Sequence, residues 1–382
     1  MANSYLSKSI SSTGNRRKFT ISVWLKRSKL SSQQIFFNAY SSQSDSGFTS
    51  IRINSTDQLE MTGWTTGWLV SNRKFRDTSA WYHVVIAVDT ENATASNRIR
   101  VYVNGEEETS FASNNNPSQN QDLAVNVSGN THYIGVDNYG SFAQWWDGYM
   151  SHFALVDGQQ LTPTSFGETD STSGIWKFKS PSGITWGTNG VHLKFENSGA
   201  MGTDSSGQSN TYTVSGNLKQ AVDTPSNVYA TFNPLAFWNH NGSTLRIPAY
   251  SNGNLTAGYD DSNYNEIAFG NLGVDTGKWY WEVKATNVTD ASGNTRIGIG
   301  DIQYTDTDPQ NTTSTIYYQG NGQKRLSGSA SSYGATYTGG DVIGVAMDLD
   351  NNKLYFHKNG TYQNSGVPTS GSTGTGAIAI PT

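Results

Sequence analysis

The chain has 382 residues, a formal net charge of −5, no cysteine, and 20 Tyr, 15 Phe and 11 Trp among 35% hydrophobic residues. Lacking Cys, it has neither disulfide staples nor thiolate metal sites. With no basic run beyond Arg16–Lys18, it offers no broad phosphate-binding surface, so no nucleic acid partner is expected. Only 14% of residues are charged, while Gly, Ser, Asn and Thr abound, a mixture that suits short strands and turns rather than long solvated helices. Met1–Leu30 holds no continuous apolar stretch of signal-peptide type. No segment reaches the roughly 18 apolar residues of a membrane helix. The expectation is a soluble protein without membrane insertion, not exported by the usual route.

Strand signals begin at "FTISVWLKR" (Phe19–Arg27), where Phe19, Ile21, Val23 and Leu25 alternate with Thr20, Ser22, Trp24 and Lys26, the period of a strand with one buried face. "WYHVVIAVD" (Trp81–Asp89) is apolar on both faces over much of its length. "RIRVYVNGEEE" (Arg98–Glu108) follows, with Asn104-Gly105 suited to the left-handed dihedrals of a tight hairpin. "HYIGVD" (His132–Asp137) and "GYMSHFALVDGQQL" (Gly148–Leu161) complete an all-β block. A short helical turn is expected at Leu161–Phe166, with Thr162 as N-cap and Pro163 at the first helical position.

Between Gly167 and Leu235 the pattern weakens, although "GVHLKFENS" (Gly190–Ser198) reads as a strand and Gly202–Gly216 as a polar turn leading into another. A second block starts near Thr244. It contains "KWYWEVKATN", "TRIGIGD", "DVIGVAMDLD" (Asp341–Asp350) and "NKLYFHKNGTY" (Asn352–Tyr362). Val342–Gly360 repeats the order of Val84–Gly105: an apolar strand ending at Asp, a polar bend, a second strand, then Asn-Gly. Two copies of one strand-bend-strand arrangement imply two sandwiches rather than one large sheet.

The fold class is therefore all-β, with two antiparallel jelly-roll β-sandwiches joined by an irregular, β-containing linker. The first covers 1–166, the connecting segment 167–243 and the second 244–382. "FTISVWLKR", "WYHVVIAVD", "RIRVYVNGE" and "WDGYMSHFALVDGQQLTP" resemble, in order, the laminin-G-like, concanavalin-A-like lectin family. "VHLKFENSGAMGTDSSGQSNTYTVSG" also resembles such domains; it either completes the first sandwich or belongs to a small intervening module. "GKWYWEVKATN", "TRIGIGD" and "DVIGVAMDLDNNKLYFHKNG" resemble a SPRY domain. Such a sandwich ordinarily continues past its last hairpin, whereas this sequence stops at "AIAIPT". Either further sequence or another segment is expected to cover that edge.

Two such domains in this order resemble fibre, appendage or decoration proteins of marine bacteriophages. That resemblance implies a virion protein assembled in the host cytoplasm and exposed on the particle surface. Its partners would be other virion proteins and a host cell-surface glycan, with a homo-oligomer expected and a trimer if it is a fibre. A purely structural spacer is the alternative.

Catalysis is not expected. Retaining glycosidases place two carboxyls about 5–5.5 Å apart, and no Glu-x-Asp-x-Glu array occurs in the sequence. Glu106–Glu108 fall at a hairpin, and Glu168 with Asp170 in a polar loop. Sugar binding needs open aromatic faces with amide and carboxylate partners. The candidates are Trp145 and Trp146 in "GSFAQWWDG", Trp64 and Trp68 in "GWTTGWLVSN", with Asp137 and Asn138 to hold hydroxyls; core packing is the competing role for each Trp. One strand face cannot bury both rings of Trp145–Trp146, so one should be accessible. Trp279 and Trp281 are assigned to the second core, and His83 and His152 to structural roles. Asp137, Asp147 and Asp157 fall at strand ends, where turn chemistry is the first account of them and a calcium site the alternative. No other cofactor is expected.

Overall fold

The computed structural model describes residues 4–236, 238–240, 244–258, 267–286, 288, 294–300 and 315–381. The chain divides into two compact units. The first comprises Met1–Pro234, Ala249–Gly258 and Phe269–Asn271, and the second Leu235–Pro248, Tyr259–Ala268 and Leu272–Thr382. No helix among the described residues is long and apolar enough to cross a membrane.

The first unit is a sandwich of two antiparallel sheets. Its opening strands are β1 (Tyr5–Ser9), β2 (Lys18–Arg27), β3 (Gln34–Tyr40), β4 (Phe48–Ile53), β5 (Gln58–Thr62) and β6 (Gly67–Lys74). There follow β7 (Tyr82–Asp89), β8 (Ile99–Val103), β9 (Glu106–Glu107), β10 (Phe111–Asn114), β11 (Thr131–Ile134) and a hairpin of β12 (Asp137–Asn138) with β13 (Phe142–Ala143). The last are β14 (Gly148–Asp157), β15 (Gly167–Thr169), β16 (Trp176–Phe178), β17 (Val191–Leu193) and β18 (Thr213–Ser215). The front sheet runs β10-β6-β5-β4-β3-β11-β1-β18 and the back sheet β17-β14-β2-β7-β8-β9. Period-2 alternation delivers Phe19, Ile21, Val23 and Leu25 from β2, and Val84, Ile86 and Val88 from β7, into one core with Phe37, Ile51, Met61 and Leu69 of the front sheet.

The segment after 166 supplies strands to both sheets, since β17 pairs with β14 and β18 with β1. Of the two placements open from sequence, the structure takes completion of the first sandwich. The short turn forms as a 3-10 helix at Pro163–Ser165, but Thr162 makes no side-chain cap.

The second unit has its own core, including Ile343, Val345, Met347, Leu354, Phe356 and Tyr318. One sheet runs Lys278–Lys284, Val342–Asp348, Lys353–Lys358, Thr361–Tyr362; the other is built from Arg296–Gly300, Thr315–Gln319, Gln323–Leu326 and Ser329–Ser332. Residues 363–381 fold back, so that Ile378–Ala379 pairs with Lys353–Leu354 and buries Ile378 in the core. Trp281 packs against that core, whereas Trp279 stays 45% exposed. The core assignment of Trp279 is corrected: its strand pairs only with Val342–Asp348 among the described residues, so the ring at its start lacks flanking cover.

The repeated motif has one geometry in both units. Asn104 and Gly105 have φ of 50° and 87°, and Asn359 and Gly360 have 49° and 85°, two successive positive values as in a type I′ turn. Each Asn also closes on the first strand of its motif. The His83 N–H donates to Asn104 Oδ1 and the Asn104 N–H to the His83 carbonyl, both at 2.8 Å. Val342 and Asn359 exchange the same two bonds at 2.8 Å. The Asn side chain thus satisfies a backbone donor that the ladder leaves free, which is why the same pair serves twice.

Candidate functional site

The outer face of the front sheet is set by register. Cross-strand partners share a face, so Tyr40 and Phe48, Asn38 and Ser50, Arg52 and Glu60, and Tyr133 with Ser7 all point away from the core. By the same alternation Tyr5 joins Ser7 on that side. The β12–β13 hairpin lies over β3, where the Asn138 N–H donates to Asn38 Oδ1 at 3.3 Å.

An aromatic cluster forms where this hairpin meets β1 and β11. Tyr5 lies 4.9 Å from Phe142, 5.9 Å from Trp145 and 6.1 Å from Tyr133, between ring centroids. Phe142 lies 5.8 Å from Tyr133 and 6.0 Å from Trp145. Phe142 is 45% exposed, and Tyr5, Tyr133 and Trp145 are half-buried. Asn138 braces the cluster: its Nδ2 donates to Tyr133 Oη at 2.9 Å, and its Oδ1 accepts from the Gly140 N–H at 3.0 Å. A second aromatic group stands across the same face. Trp64, 37% exposed, meets buried Phe48 edge-on at 5.6 Å, and Phe48 meets Tyr40 at 6.5 Å. The loop beside Trp64 is pinned by Asp45. Burial pushes this carboxyl up, but bonds from the N–H and hydroxyl groups of Thr65 and Thr66 hold it below the usual range.

The sequence candidates separate. Trp145 joins the cluster, while Trp146 turns to the core, with its ring edge-on to Phe36 at 6.1 Å and its indole N–H buried. Trp68 is 0% exposed and is withdrawn as a stacking platform; the residue that faces solvent from that stretch is Trp64. Asp137 is 2% exposed and its Oδ1 has no partner among the described residues. Burial pushes it up to about 6, only partly offset by the charge of Arg52 and the Asn138 N–H. An enclosed carboxyl cannot reach ligand hydroxyls, so Asp137 too leaves the contact set, and Asn138 becomes a bracing residue.

The three carboxylates proposed for calcium are not brought together. Asp147 and Asp157 flank opposite ends of the ten-residue β14, about 30 Å apart at the rise of an extended strand. Asp147 is half-buried and pushed up by that burial, with Lys29 opposing. Asp157 is saturated by donors: Oδ1 accepts from the Asn15 N–H at 2.7 Å and Asn126 Nδ2 at 3.1 Å, and Oδ2 from the Asn189 N–H at 3.1 Å. No group of three or more ligating side chains occurs among the described residues.

The sequence reading missed Tyr5, Tyr133, Tyr40 and Phe142. Each sits on an ordinary alternating strand or hairpin, and only pairing of β1 with β11 brings Tyr5 near Tyr133. An aromatic at an outward strand position was the available signal.

Residues 2–165 match the concanavalin A-like lectin/glucanases superfamily, and residues 278–378 match the SPRY domain. No curated protein matches the sequence. Among solved structures, a heptameric SAP-like pentraxin from Limulus polyphemus is similar at 19% identity and a TM-score of 0.32, over 42% of this chain and 72% of that one. A putative carbohydrate binding protein from Bacteroides ovatus is similar at 16% and 0.38, over 58% and 59%. The CBM40 of a Ruminococcus gnavus IT-sialidase, bound to α2,3 sialyllactose, is similar at 14% and 0.29, over 41% and 92%.

Proposed function

We propose that this protein is a non-enzymatic bacteriophage virion component, a fibre, appendage or head decoration, that adheres to host-surface glycans through the outer face of its front sheet. The observation that carries adhesion is the aromatic platform of Tyr5, Tyr133, Phe142 and Trp145, with Trp64 across the same face. Aromatic faces stack on the apolar faces of sugar rings, and Tyr adds a hydroxyl for hydrogen bonding. The acids near this face do not form a catalytic pair. Glu60 is held by Arg52 at 2.5 Å and Asp137 is enclosed, whereas glycoside cleavage needs two carboxyls facing the bond to be broken. The virion role is supported by the resemblance of the domain order to marine phage fibre and decoration proteins.

One such site binds weakly, and useful attachment comes from many copies on one particle through effective concentration. The test is binding of the full chain, displayed multivalently, to an array of bacterial surface glycans, with Phe142→Ala and Trp145→Ala beside the parent. Each substitution should lower binding about tenfold, the scale of one aromatic contact, with secondary structure unchanged. A parent that binds no glycan, or variants that bind equally well, would leave the spacer role in its place.

A further inference from the structure

The outer face of the back sheet carries a row of rings across four adjacent strands: His192 on β17, His152 on β14, Trp24 on β2 and His83 on β7. Residues 159–188 lie over this row. Their ends meet, since the Asp157 N–H donates to the Trp186 carbonyl at 2.9 Å and Gln159 Nε2 to the Thr185 carbonyl at 2.8 Å. Three aromatic residues of this segment each stack on one histidine of the sheet. Phe178 lies on His152 at 3.5 Å and 10°, Trp176 on His83 at 6.0 Å and 19°, and Trp186 on His192 at 5.8 Å and 11°. Phe166, Leu161 and Ile184 fill the remaining space against Val85, Ala87, Tyr102, Ala154 and Val156.

All three imidazoles are built in as neutral rings. Trp176 Nε1 donates to His83 Nδ1 at 2.9 Å, so the ring proton sits on Nε2 and faces Ser22 Oγ at 2.8 Å. A second proton on Nδ1 would meet an N–H donor and break that bond. His152 Nδ1 and His192 Nε2 are buried with no partner among the described residues, and a charged ring would leave a buried N–H without an acceptor.

The surrounding charges do not rescue the cations. The His152 and His192 rings are 5.7 Å apart, so their charges would repel. Lys194 disfavours charge on both, while Asp204 and Glu196 favour it at His192. On the covering segment, Lys177 is neutralised by Asp170 at 2.8 Å and Glu168 at 3.7 Å, within its own hairpin. Asp204 is occupied by the His192 N–H, Ser206 and Asn210.

We propose that residues 159–188 form an acid-released strap, closed over the back sheet while His83, His152 and His192 are neutral and lifted when they take up protons. Burial lowers His83 to about 3, and His152 and His192 to about 4, whereas an imidazole freed by opening titrates near 6.5. The closed form therefore binds fewer protons. Its advantage is complete above about pH 6.5 and is lost as pH falls towards 4. At pH 5 each histidine favours the open form by up to about thirtyfold. His132 is lowered to about 3 as well, but it pairs with Ala39 on the core side of the front sheet and reports opening of the sandwich itself.

The test is hydrogen exchange of the full chain read by mass spectrometry at pH 7.5, 6 and 5, with each rate corrected for the intrinsic pH dependence. Peptides across 161–188 should lose at least tenfold in protection by pH 5 while β3–β6 peptides keep theirs. A His152→Phe/His192→Phe double variant keeps rings under Phe178 and Trp186 and should move the opening to lower pH. Unchanged protection of 161–188 at pH 5, loss of both regions together, or a double variant that folds and opens at the parent pH would overturn the strap.

Discussion

The indole N–H of Trp81 donates to Oδ1 of Asp223 at 2.9 Å, joining the start of β7 to a loop 142 positions later. The other carboxylate oxygen takes Lys26 Nζ at 2.6 Å, and both charged side chains are almost wholly enclosed. Tyr149 Oη donates to the Gly253 carbonyl at 2.7 Å, and Asn254 Nδ2 to the Ser28 carbonyl at 2.9 Å. Together these bonds fasten residues 223–234 and 249–258 to the first sandwich.

Asp223→Ala leaves a buried lysine without its counter-charge, and breaking such a pair by removing one partner costs about 3–5 kcal/mol. Urea unfolding of the first unit should show a loss of that size. Pairing Lys26→Met with Asp223→Leu should recover most of it, because apolar residues of similar volume remove the desolvation cost as well. A loss below about 1 kcal/mol for Asp223→Ala would mean that Lys26 finds water.

The two Asn-Gly turns share dihedrals but not surroundings, so alanine should distinguish them. A Cβ on Gly360 meets open space, and one on Gly105 would lie 2.6 Å from Cε3 of Trp176. Gly360→Ala should cost about 1–2 kcal/mol for the left-handed conformation alone. Gly105→Ala adds overpacking of roughly 1–3 kcal/mol and should loosen the strap, read as faster exchange across 167–179. Equal costs at the two sites would show that the Trp176 seat adapts freely.

Asp137 gives a pH dependence of known sign. Its carboxyl is pushed up to about 6 from an unfolded value near 4, so the folded state holds the extra proton between those values. The penalty for charging it is absent below about pH 4 and complete above about pH 6. Asp137→Asn should stabilise the first unit by about 3 kcal/mol at pH 7.5, and the gain should shrink towards zero as pH falls to 4. A gain that grows on acidification would contradict the enclosed, uncompensated carboxyl.

Trp64 and Trp68 lie four residues apart and should answer alanine in opposite ways. Trp68→Ala empties a fully buried site and should cost about 3–5 kcal/mol, seen as a large fall in the urea midpoint. Trp64→Ala removes a partly exposed ring, with at most about 1 kcal/mol lost, and under the adhesion proposal it weakens binding of extended glycans. Comparable stability losses at the two positions would invert this assignment.

Much of the architecture follows from local pattern. Alternation in Phe19–Arg27 and Val84–Asp89 fixes which side chains meet the core, because side-chain direction has period two whatever the partner strand. The paired Asn-Gly turns required φ above zero at both positions and obtained it in both units. The need for one accessible ring at Trp145–Trp146 is equally local. Which ring, and everything that makes a site around it, is not. Tyr5 reaches Tyr133 only because β1 enters the front sheet beside β11, and Asp137 is enclosed only because its hairpin folds over β3. Placement of Val191–Leu193 and Thr213–Ser215 at the margins of the two sheets depends on edges that local sequence does not display. The histidine row is the plainest case: His83, His152 and His192 come from three strands, and Trp176, Phe178 and Trp186 from a segment with little pattern of its own. Period and turn chemistry act between neighbours in sequence, whereas burial, stacking and proton affinity depend on what the completed sheets bring within a few ångströms.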